Sequence, residues 1–196
     1  MVDNDKLEAI RIKARENHVP ILQDASLEFI ELMLSIAKPK SILEVGTAVG
    51  YSALAFSRHL QEGGKIVTIE LNEDMVKEAT KNIKDNGMEN VIEVVHSDAY
   101  EYMKTLDERF DIIFIDAAKG QYMKYLQEAM RLTKSGSVII ADNVLFKGRV
   151  LGDYNEHKHR TAVNRLREYI KTVKEDTRLD TAIVDIGDGI AISAVK

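Results

Sequence analysis

Two aspartates and an asparagine directly follow apolar runs in the second half of the chain. Asp116 closes the run FDIIFID, and Asp142 and Asn143 come immediately after the largely apolar residues 137–141. Carboxylate and amide oxygens form a hard ligand set that suits Mg²⁺ or Mn²⁺, whereas zinc prefers sulfur or imidazole. Lys119 lies three residues after Asp116, and a nearby divalent cation can lower the pKa of a lysine towards that of a general base. Together these side chains predict a metal site with a base, although each one taken singly is also typical of a helix cap or turn.

A glycine turn in the first half of the chain is a second place where the spacing of residues predicts chemistry. Residues 41–52, SILEVGTAVGYS, are typical of an apolar strand, a turn and the start of a helix, with Gly46 and Gly50 in the turn. The dinucleotide fingerprint GxGxxG is not matched, because Ala48 replaces the glycine that admits a pyrophosphate. Glu44 would also repel a pyrophosphate and would suit a ligand that carries positive charge. The alternative is that this GxxxG is only a turn.

Glu70 indicates which ligand the glycine turn would bind. It closes the second apolar run, residues 65–71, twenty residues after Gly50. An acidic side chain in this position can accept hydrogen bonds from both hydroxyls of a ribose. A ligand with a ribose, a cationic end and no phosphate matches S-adenosylmethionine. At this point the chain resembles the class I methyltransferases.

The remaining apolar pattern predicts the elements that position these residues. Two amphipathic helices, at residues 6–17 and 26–37, precede a regular alternation of strands and helices that runs to residue 174. The last two apolar runs, 182–186 and 190–195, predict an antiparallel hairpin. The expected fold is α/β and Rossmann-like, with a mostly parallel seven-stranded sheet, helices on both faces and ligands at the carboxyl ends of the strands.

Length and composition limit the possible classes of protein. At 196 residues, 45% hydrophobic and 30% charged, we expect one domain over residues 1–196, with the helices of residues 1–37 covering the site. No apolar run approaches the roughly 20 residues of a membrane span, and the charged start has no signal-peptide core, so we expect a cytoplasmic protein without a membrane partner. The absence of cysteine excludes disulfides and thiolate chemistry. A net charge of -5 argues against indiscriminate binding to nucleic acids.

The ordered set of motifs is similar to one family in particular. The sequence EVGTAVGYS, followed by Glu70, an Asp-Ala pair, Asp-x-x-Lys and Asp-Asn, resembles the cation-dependent O-methyltransferases of the catechol and caffeoyl-coenzyme A type over nearly the whole chain. The resemblance implies that Asp116, Asp142 and Asn143 hold the cation and that Lys119 takes the hydroxyl proton. It assigns the following residues to S-adenosylmethionine: Ile21, Glu44, Gly46, Ser52, Glu70, Asp98, Ala99 and Asp116.

Within this set the resemblance implies separate positions for the parts of the cofactor. Asp98 and Ala99 are expected at the adenine, Ser52 at the amino-acid end, and Ile21 over the methionine part. Ser97 departs from the family pattern, which often has glycine there. The family's chemistry uses an acceptor hydroxyl next to a second oxygen, both of which chelate the metal, with the ionised oxygen held in line with the sulfonium methyl.

A basic segment between residues 147 and 171 bears on which class of molecule accepts the methyl group. Its net charge is +4, which leaves -9 for the rest of the chain, and it begins just after the predicted metal ligands. Such a segment is typical either of a site for phosphates or of a solvated helix face with i, i+4 ion pairs. The residues predicted to contact RNA are Lys147, Arg149, Lys158, Arg160 and Arg165. His157 and His159 are expected at the surface.

Two further motifs narrow the resemblance to one branch of this family. ENHVPIL near the amino end and DNVLFKGRV after the metal ligands are similar to the bacterial tRNA 5-hydroxyuridine methyltransferases. This resemblance implies methylation of 5-hydroxyuridine at the wobble position to 5-methoxyuridine, with the tRNA anticodon loop as the partner. It also implies tRNA modification by a homodimer, since the family is commonly dimeric. The alternatives are a small catechol or phenylpropanoid acceptor, a non-catalytic RNA-binding protein and, least supported, an oxidoreductase.

Overall fold

The computed structural model describes residues 2–152, 157 and 159–196. Its helices are α1 (Asn4–Glu16), α2 (Asp24–Ala37), α3 (Tyr51–Ser57), α4 (Glu73–Asp85), α5 (Ala99–Thr105), α6 (Tyr122–Arg131) and α7 (Arg160–Glu175), with a 3-10 turn at Lys119–Gln121. Its strands are β1 (Ser41–Val45), β2 (Lys65–Glu70), β3 (Ile92–His96), β4 (Ile112–Ile115), β5 (Val138–Ala141), β6 (Leu179–Val184) and β7 (Ile190–Val195).

The described strands form a seven-stranded sheet of the predicted class. The strand order is β3-β2-β1-β4-β5-β7-β6. The pairs β1–β2, β2–β3 and β4–β5 are parallel, and β7 is antiparallel to both β5 and β6. The predicted Rossmann-like fold with an antiparallel hairpin at the end is therefore confirmed.

The chain divides into two compact units, one extending to Tyr102 and the other running from Met103 to Lys196. In the first unit, α1 and α2 both pack against α3, which buries all seven of its residues. Apolar side chains of β1 and β2 form the core beside it, as Leu43 and Ile66 show by their complete burial. Whether the chain is a single domain stays a prediction.

The second unit is built around β4 and β5. All four residues of β4 are buried, which explains why its sequence is a continuous apolar run rather than an alternating one. Helix α7 packs against α6 and β6, and the buried rings of Tyr122 and Tyr169 meet edge to face with centroids 5.6 Å apart. In the described ranges, no helix is long and apolar enough to span a bilayer.

Element boundaries differ from the sequence prediction where hydrogen bonds extend or end an element. β6 begins at Leu179 because this residue pairs with Val195, so that the hairpin uses the full length of β7. It ends at Val184, since Ile186 already belongs to the turn, where its carbonyl accepts from the Gly189 amide. Asn72 caps α4, because its side chain accepts hydrogen bonds from the backbone amides of Asp74 and Met75.

Candidate functional site

The glycine turn of the first unit joins the carboxyl end of β1 to α3. Gly46 has φ of 103°, a conformation that glycine adopts without steric cost, and its amide donates to the Ile69 carbonyl of β2 at 3.0 Å. The Gly50 amide donates to the Thr47 carbonyl at 2.8 Å. The turn is thus held both internally and to the neighbouring strand, as a preformed ligand-binding turn requires.

Glu44, in the last part of β1, is fully buried under this turn. Its carboxylate accepts from the Ser52 hydroxyl at 2.5 Å and from the Thr68 hydroxyl at 2.6 Å, and the Thr68 hydroxyl also meets that of Thr47 at 2.6 Å. Glu44 therefore links β1, β2 and α3. The observed contacts of Glu44 hold the turn in place and do not test whether its carboxylate also contacts a cationic ligand. That contact stays a prediction.

Glu70, at the end of β2, faces the same turn. One carboxylate oxygen accepts from the Ala48 amide at 2.9 Å, and the other accepts from the amides of Leu71 and Asn72, each at 2.9 Å. Ala48 has φ of 45°, so this hydrogen bond helps to hold a non-glycine residue in the left-handed region. The two Glu70 oxygens that would bind a ribose thus also hold the turn that contains Ala48 and the loop that follows β2.

Three further residues predicted to bind the cofactor, Asp98, Ala99 and Ile21, lie in the first unit, whereas Asp116 lies in the second. Asp98 is half-buried and caps α5, where it accepts from the Glu101 amide at 3.0 Å, and Ala99 is the first residue of that helix. Ile21 is half-buried in the segment between α1 and α2, where it lines an open cavity of about 550 Å³. The cap at Asp98 accounts for its residue type without a ligand, so an adenine contact stays a prediction.

The predicted metal ligands of the second unit do come together. The side-chain nitrogen Nδ2 of Asn143 donates to Asp116 Oδ1 and to Asp142 Oδ2, each at 3.0 Å. Asp116 follows β4 and Asp142 follows β5, and these strands are adjacent and parallel. Asn143 has φ of 60°, a left-handed conformation that asparagine tolerates better than most residues. The sequence thus places two carboxylates side by side, with a side-chain amide between them.

These carboxylates are in an environment that favours a cation. Asp142 is buried, and its Oδ1 has no hydrogen-bond partner. Burial, with the negative charge of Asp116 added to it, raises the pKa of Asp142 to about 7, and burial also raises the pKa of Asp116. A divalent cation would satisfy the unpaired oxygen and offset the repulsion. The side-chain amide of Asn143 would then turn its oxygen to the cation.

The donor set suits Mg²⁺ or Mn²⁺ better than it suits a metal ion whose ligands all come from the protein. Among the described residues there is no group of three or more histidine, cysteine, aspartate and glutamate side chains that could enclose an ion. Two carboxylates and one amide therefore leave coordination positions for water or for oxygens of a substrate. This is the arrangement expected of a cation that takes part in a reaction.

Lys119 approaches an aromatic side chain that the sequence interpretation did not select. Its Nζ lies 5.2 Å from the centre of the Phe146 ring, and the Arg149 guanidinium lies 5.0 Å from the same ring. Phe146 and Lys147 have φ of 47° and 55°, in a loop that begins just after Asn143. Non-glycine residues in this region cost energy and often mark functional loops. The loop therefore places a flat apolar surface between the side chains of Lys119 and Arg149, directly after Asn143 in the chain.

The structure of this loop depends on the turn between β6 and β7. The amide of Val144 donates to the Gly189 carbonyl, and that of Leu145 donates to the Asp188 carbonyl, each at 2.9 Å. The Asp188 carboxylate accepts from the Lys147 amide. On the other side, the buried hydroxyl of Tyr122 donates to the Asp142 carbonyl at 2.8 Å. The hairpin and α6 thus fix the backbone on both sides of Asn143.

Comparison with known proteins shows what kind of protein carries this site. Residues 3–196 match a family model described as O-methyltransferase. The chain belongs to the O-methyltransferase family. This O-methyltransferase is 34% identical to a catechol O-methyltransferase from Niastella koreensis over 178 residues, which cover 86% of this chain and 79% of that protein.

Two further comparisons agree with this membership. A caffeoyl-CoA O-methyltransferase from Stellaria longipes is 31% identical over 202 residues, covering 96% of this chain and 82% of that protein. The crystal structure of an O-methyltransferase from Bacillus cereus in complex with SAH has a TM-score of 0.89 and 28% identity, covering 99% of this chain and 92% of that one. The predicted family is confirmed, and the narrower resemblance to tRNA 5-hydroxyuridine methyltransferases stays a prediction.

The basic segment of this O-methyltransferase has several roles within the second unit. Arg165 pairs with Glu168 on α7 at 2.8 Å, at a spacing of i, i+3 rather than the i, i+4 of the solvated-face interpretation. Lys147 and Arg160 are exposed, whereas Arg149 is half-buried beside Phe146. Lys158 lies outside the described residues. RNA contacts by these side chains stay a prediction.

Some residues that build the site gave little signal in the sequence. Thr68 lies in the middle of an apolar strand, where a buried threonine is unremarkable until its contact with Glu44 is known. Phe146 lies in a loop, and its position three residues after Asn143 is the signal that could have identified it. Tyr122 is apolar enough to be taken for a core residue, and its hydroxyl shows its role only through the contact with the Asp142 carbonyl.

We expect Gly189→Ala to disturb this site from the hairpin turn. A Cβ at Gly189 would lie 2.2 Å from Leu145 Cγ, and Gly189 has φ of +85°. We expect the free energy of unfolding to fall by about 2–4 kcal/mol, from overpacking and the left-handed backbone together. Urea denaturation measures this. Gly63→Ala is the control, because its φ of +71° is similar but no atom lies within 4 Å. Equal losses in the two variants would contradict a role for the Leu145 contact.

Proposed function

We propose that this O-methyltransferase is cation-dependent and methylates one of two adjacent oxygens on a small aromatic acceptor of the catechol type. The observation that carries the proposal is the pair of carboxylates bridged by Asn143, of which Asp142 is buried and Asp116 half-buried, with Lys119 three residues from Asp116. The names of the relatives, catechol and caffeoyl-CoA O-methyltransferases, support a small acceptor. The family match extends over both units and supports assigning their two sites to one reaction.

The cofactor and the cation would have distinct tasks in the proposed reaction. When bound, S-adenosylmethionine supplies a methyl group on a positively charged sulfur, and Mg²⁺ or Mn²⁺ supplies the charge that favours an ionised hydroxyl. Asp116, Asp142 and Asn143 would hold the cation. Their limited number leaves positions for two acceptor oxygens, and this favours a vicinal diol over a single phenol.

Lys119 has the role of the general base in this proposal. It begins the 3-10 turn after β4, so its position is set by the element that also presents Asp116. Its ammonium group lies over the face of Phe146, where it is within reach of an aromatic acceptor seated against that ring. We propose that the side-chain nitrogen of Lys119 takes the proton of the acceptor hydroxyl, and that Phe146 limits the orientation of the acceptor ring.

The glycine turn has the role of the cofactor site. Gly46 and Ser52 would border the amino-acid end of S-adenosylmethionine, and the buried charge of Glu44 would favour its cationic groups. Glu70 would accept from the ribose hydroxyls. Asp98 and Ala99 would lie at the adenine, and Ile21 would cover the methionine part. The bound SAH of the Bacillus cereus relative supports this class of cofactor.

A tRNA acceptor is the second candidate. The observation in its favour is that Lys147 and Arg149 lie in the same loop as Phe146, directly after the metal ligands. Two cations beside an aromatic ring could bind a phosphate and a splayed base. The base of 5-hydroxyuridine offers a hydroxyl beside a carbonyl, which is the same two-oxygen arrangement as a catechol.

The acceptor is tested by comparing rates of labelled methyl transfer. We expect 3,4-dihydroxybenzoate to react at least about 100-fold faster than 4-hydroxybenzoate, because the second compound lacks one oxygen of the chelate. tRNA that carries 5-hydroxyuridine is assayed in parallel. Similar rates for the two benzoates would contradict chelation by vicinal oxygens. If the tRNA is labelled and the diol is not, the small acceptor is rejected and the tRNA acceptor is supported.

A further inference from the structure

A cavity of about 240 Å³ lies within the first unit and is lined by residues of α1, of the glycine turn and of α4. Among the described residues that line it, none is predicted to bind the cofactor or the cation. An apolar cavity of about 150 Å³ accommodates benzene, so this cavity has room for a molecule of one or two rings. It is therefore a candidate site for a small molecule, separate from the two sites of the proposed reaction.

The walls of the cavity are mainly apolar, and the charges among its lining residues cancel. Ile10 and Ala14 of α1 and Val49 of the turn contribute apolar side chains. The two charged residues in the lining form an ion pair, in which Lys13 Nζ lies 2.5 Å from Glu78 Oε1. Because the pair is neutral as a whole and the walls are apolar, the cavity favours an uncharged occupant.

Asn82 places an unpaired acceptor in this cavity. The residue lines the cavity and is 9% exposed. Its Nδ2 donates to the Val49 carbonyl at 2.9 Å, whereas its Oδ1 has no hydrogen-bond partner within the part of the chain that the structure describes. A buried acceptor without a donor costs free energy. An occupant that carries an N–H or O–H group gains affinity by supplying that donor.

The cavity shares a wall with the glycine turn. Val49 lies between Gly46 and Gly50 and is buried. Helix α4 packs closely on the same turn, since a Cβ at Gly50 would lie 3.4 Å from Ala79 Cβ. An occupant of the cavity would therefore contact Val49 and hold the turn in its observed conformation.

We propose that this cavity binds a small, neutral aromatic molecule with one hydrogen-bond donor, of the indole class, and that its occupation favours binding of S-adenosylmethionine at the turn. The ring lies against Ile10 and Val49, and the donor bonds to Asn82 Oδ1. The effect on the cofactor rests on the proposed function of the turn, whereas the binding of the aromatic molecule does not.

Indole itself is the probe for binding. The chain contains no tryptophan, so the fluorescence of indole is observed directly at excitation wavelengths where tyrosine absorbs little. We expect saturable binding with a Kd below about 1 mM. Benzofuran has the same shape but no donor, and it should compete at least about tenfold more weakly. Absence of saturable binding, or equal competition by benzofuran, would overturn the proposal.

The position of the bound indole is tested by filling the cavity. Ala14 is 3% exposed, so Ala14→Leu places its added atoms in the cavity and should weaken indole binding at least about tenfold. Ala9→Leu is the matched control, because Ala9 is exposed on the same helix and does not line the cavity. Thermal unfolding checks that the variants fold, and Ile10→Phe, at a half-buried position, provides the same test if Ala14→Leu does not. Indole that is displaced by 3,4-dihydroxybenzoate and unaffected by these variants would overturn the proposal.

The effect on the cofactor is measured by calorimetric titration of S-adenosylmethionine with and without saturating indole. We expect indole to lower the Kd of S-adenosylmethionine at least about fivefold, and S-adenosylmethionine to lower the Kd of indole by the same factor, because coupling is reciprocal. Unchanged affinities would overturn the coupling. Failure of S-adenosylmethionine to bind in either condition would instead reject the proposed function of the turn, and the indole titration without cofactor distinguishes this failure from that of the cavity.

Discussion

Asp142→Asn should abolish methyl transfer and at the same time stabilise the metal-free protein. Asp142 is buried, one of its oxygens has no partner, and Asp116 adds a second negative charge nearby. Removing a charge from such a place relieves desolvation and repulsion, while the amide of asparagine preserves the shape of the residue. The same change removes a proposed ligand of the cation, so we expect the rate to fall by more than the roughly 100-fold that the loss of a residue hydrogen-bonded to a ligand costs.

Two measurements separate these effects. Thermal unfolding without metal should give a higher Tm for Asp142→Asn than for the unmodified protein. Addition of Mg²⁺ should raise the Tm of the unmodified protein and leave that of the variant unchanged. Asp180→Asn is a matched control, because this carboxylate is exposed and pairs with Lys196. An Asp142→Asn protein that was still stabilised by Mg²⁺, or still active, would contradict the assignment of Asp142 as a ligand.

Lys119→Met should reduce the turnover rate by about 10²–10⁴-fold, the range typical for loss of a general acid or base. Methionine keeps much of the apolar stem of lysine, so we expect the KM for the acceptor to change little. The residual rate should rise with pH, since the acceptor hydroxyl must then ionise without help from the protein. A purely structural role for Lys119 would not produce this pH dependence.

The test of Lys119 compares pH profiles of the turnover rate in the two proteins. Lys174→Met is a suitable control, because Lys174 is exposed near the end of α7 and outside the proposed site. We expect its profile to match that of the unmodified protein. A Lys119→Met enzyme with the unmodified rate at neutral pH would show that the proton leaves by another route.

The fold could be predicted because its strands have distinct patterns. The run before Asp116 is apolar throughout, as a strand covered on both faces must be, and Gly187-Asp188-Gly189 marks the final hairpin. The proximity of Asp116 and Asp142 could be predicted for a related reason: the carboxyl ends of adjacent parallel strands lie at one edge of the sheet.

The details of the site depended on packing that spacing does not contain. No sequence pattern shows that both Glu44 oxygens accept from hydroxyls, or that Asn143 bridges two carboxylates. The contact between Lys119 and Phe146 joins residues 27 positions apart through a loop with left-handed backbone. Such a loop conformation follows from tertiary contacts, here those of Asp188 and Gly189, rather than from local propensity.

The dependence of methyl transfer on a divalent cation tests the central claim most directly. Enzyme freed of metal by a chelator is supplied with labelled S-adenosylmethionine and 3,4-dihydroxybenzoate, and Mg²⁺ is then added back in steps. We expect no transfer above background before the addition, and a rate that rises with Mg²⁺ and saturates. Transfer at an undiminished rate in the metal-free enzyme would contradict the role assigned to Asp116, Asp142 and Asn143.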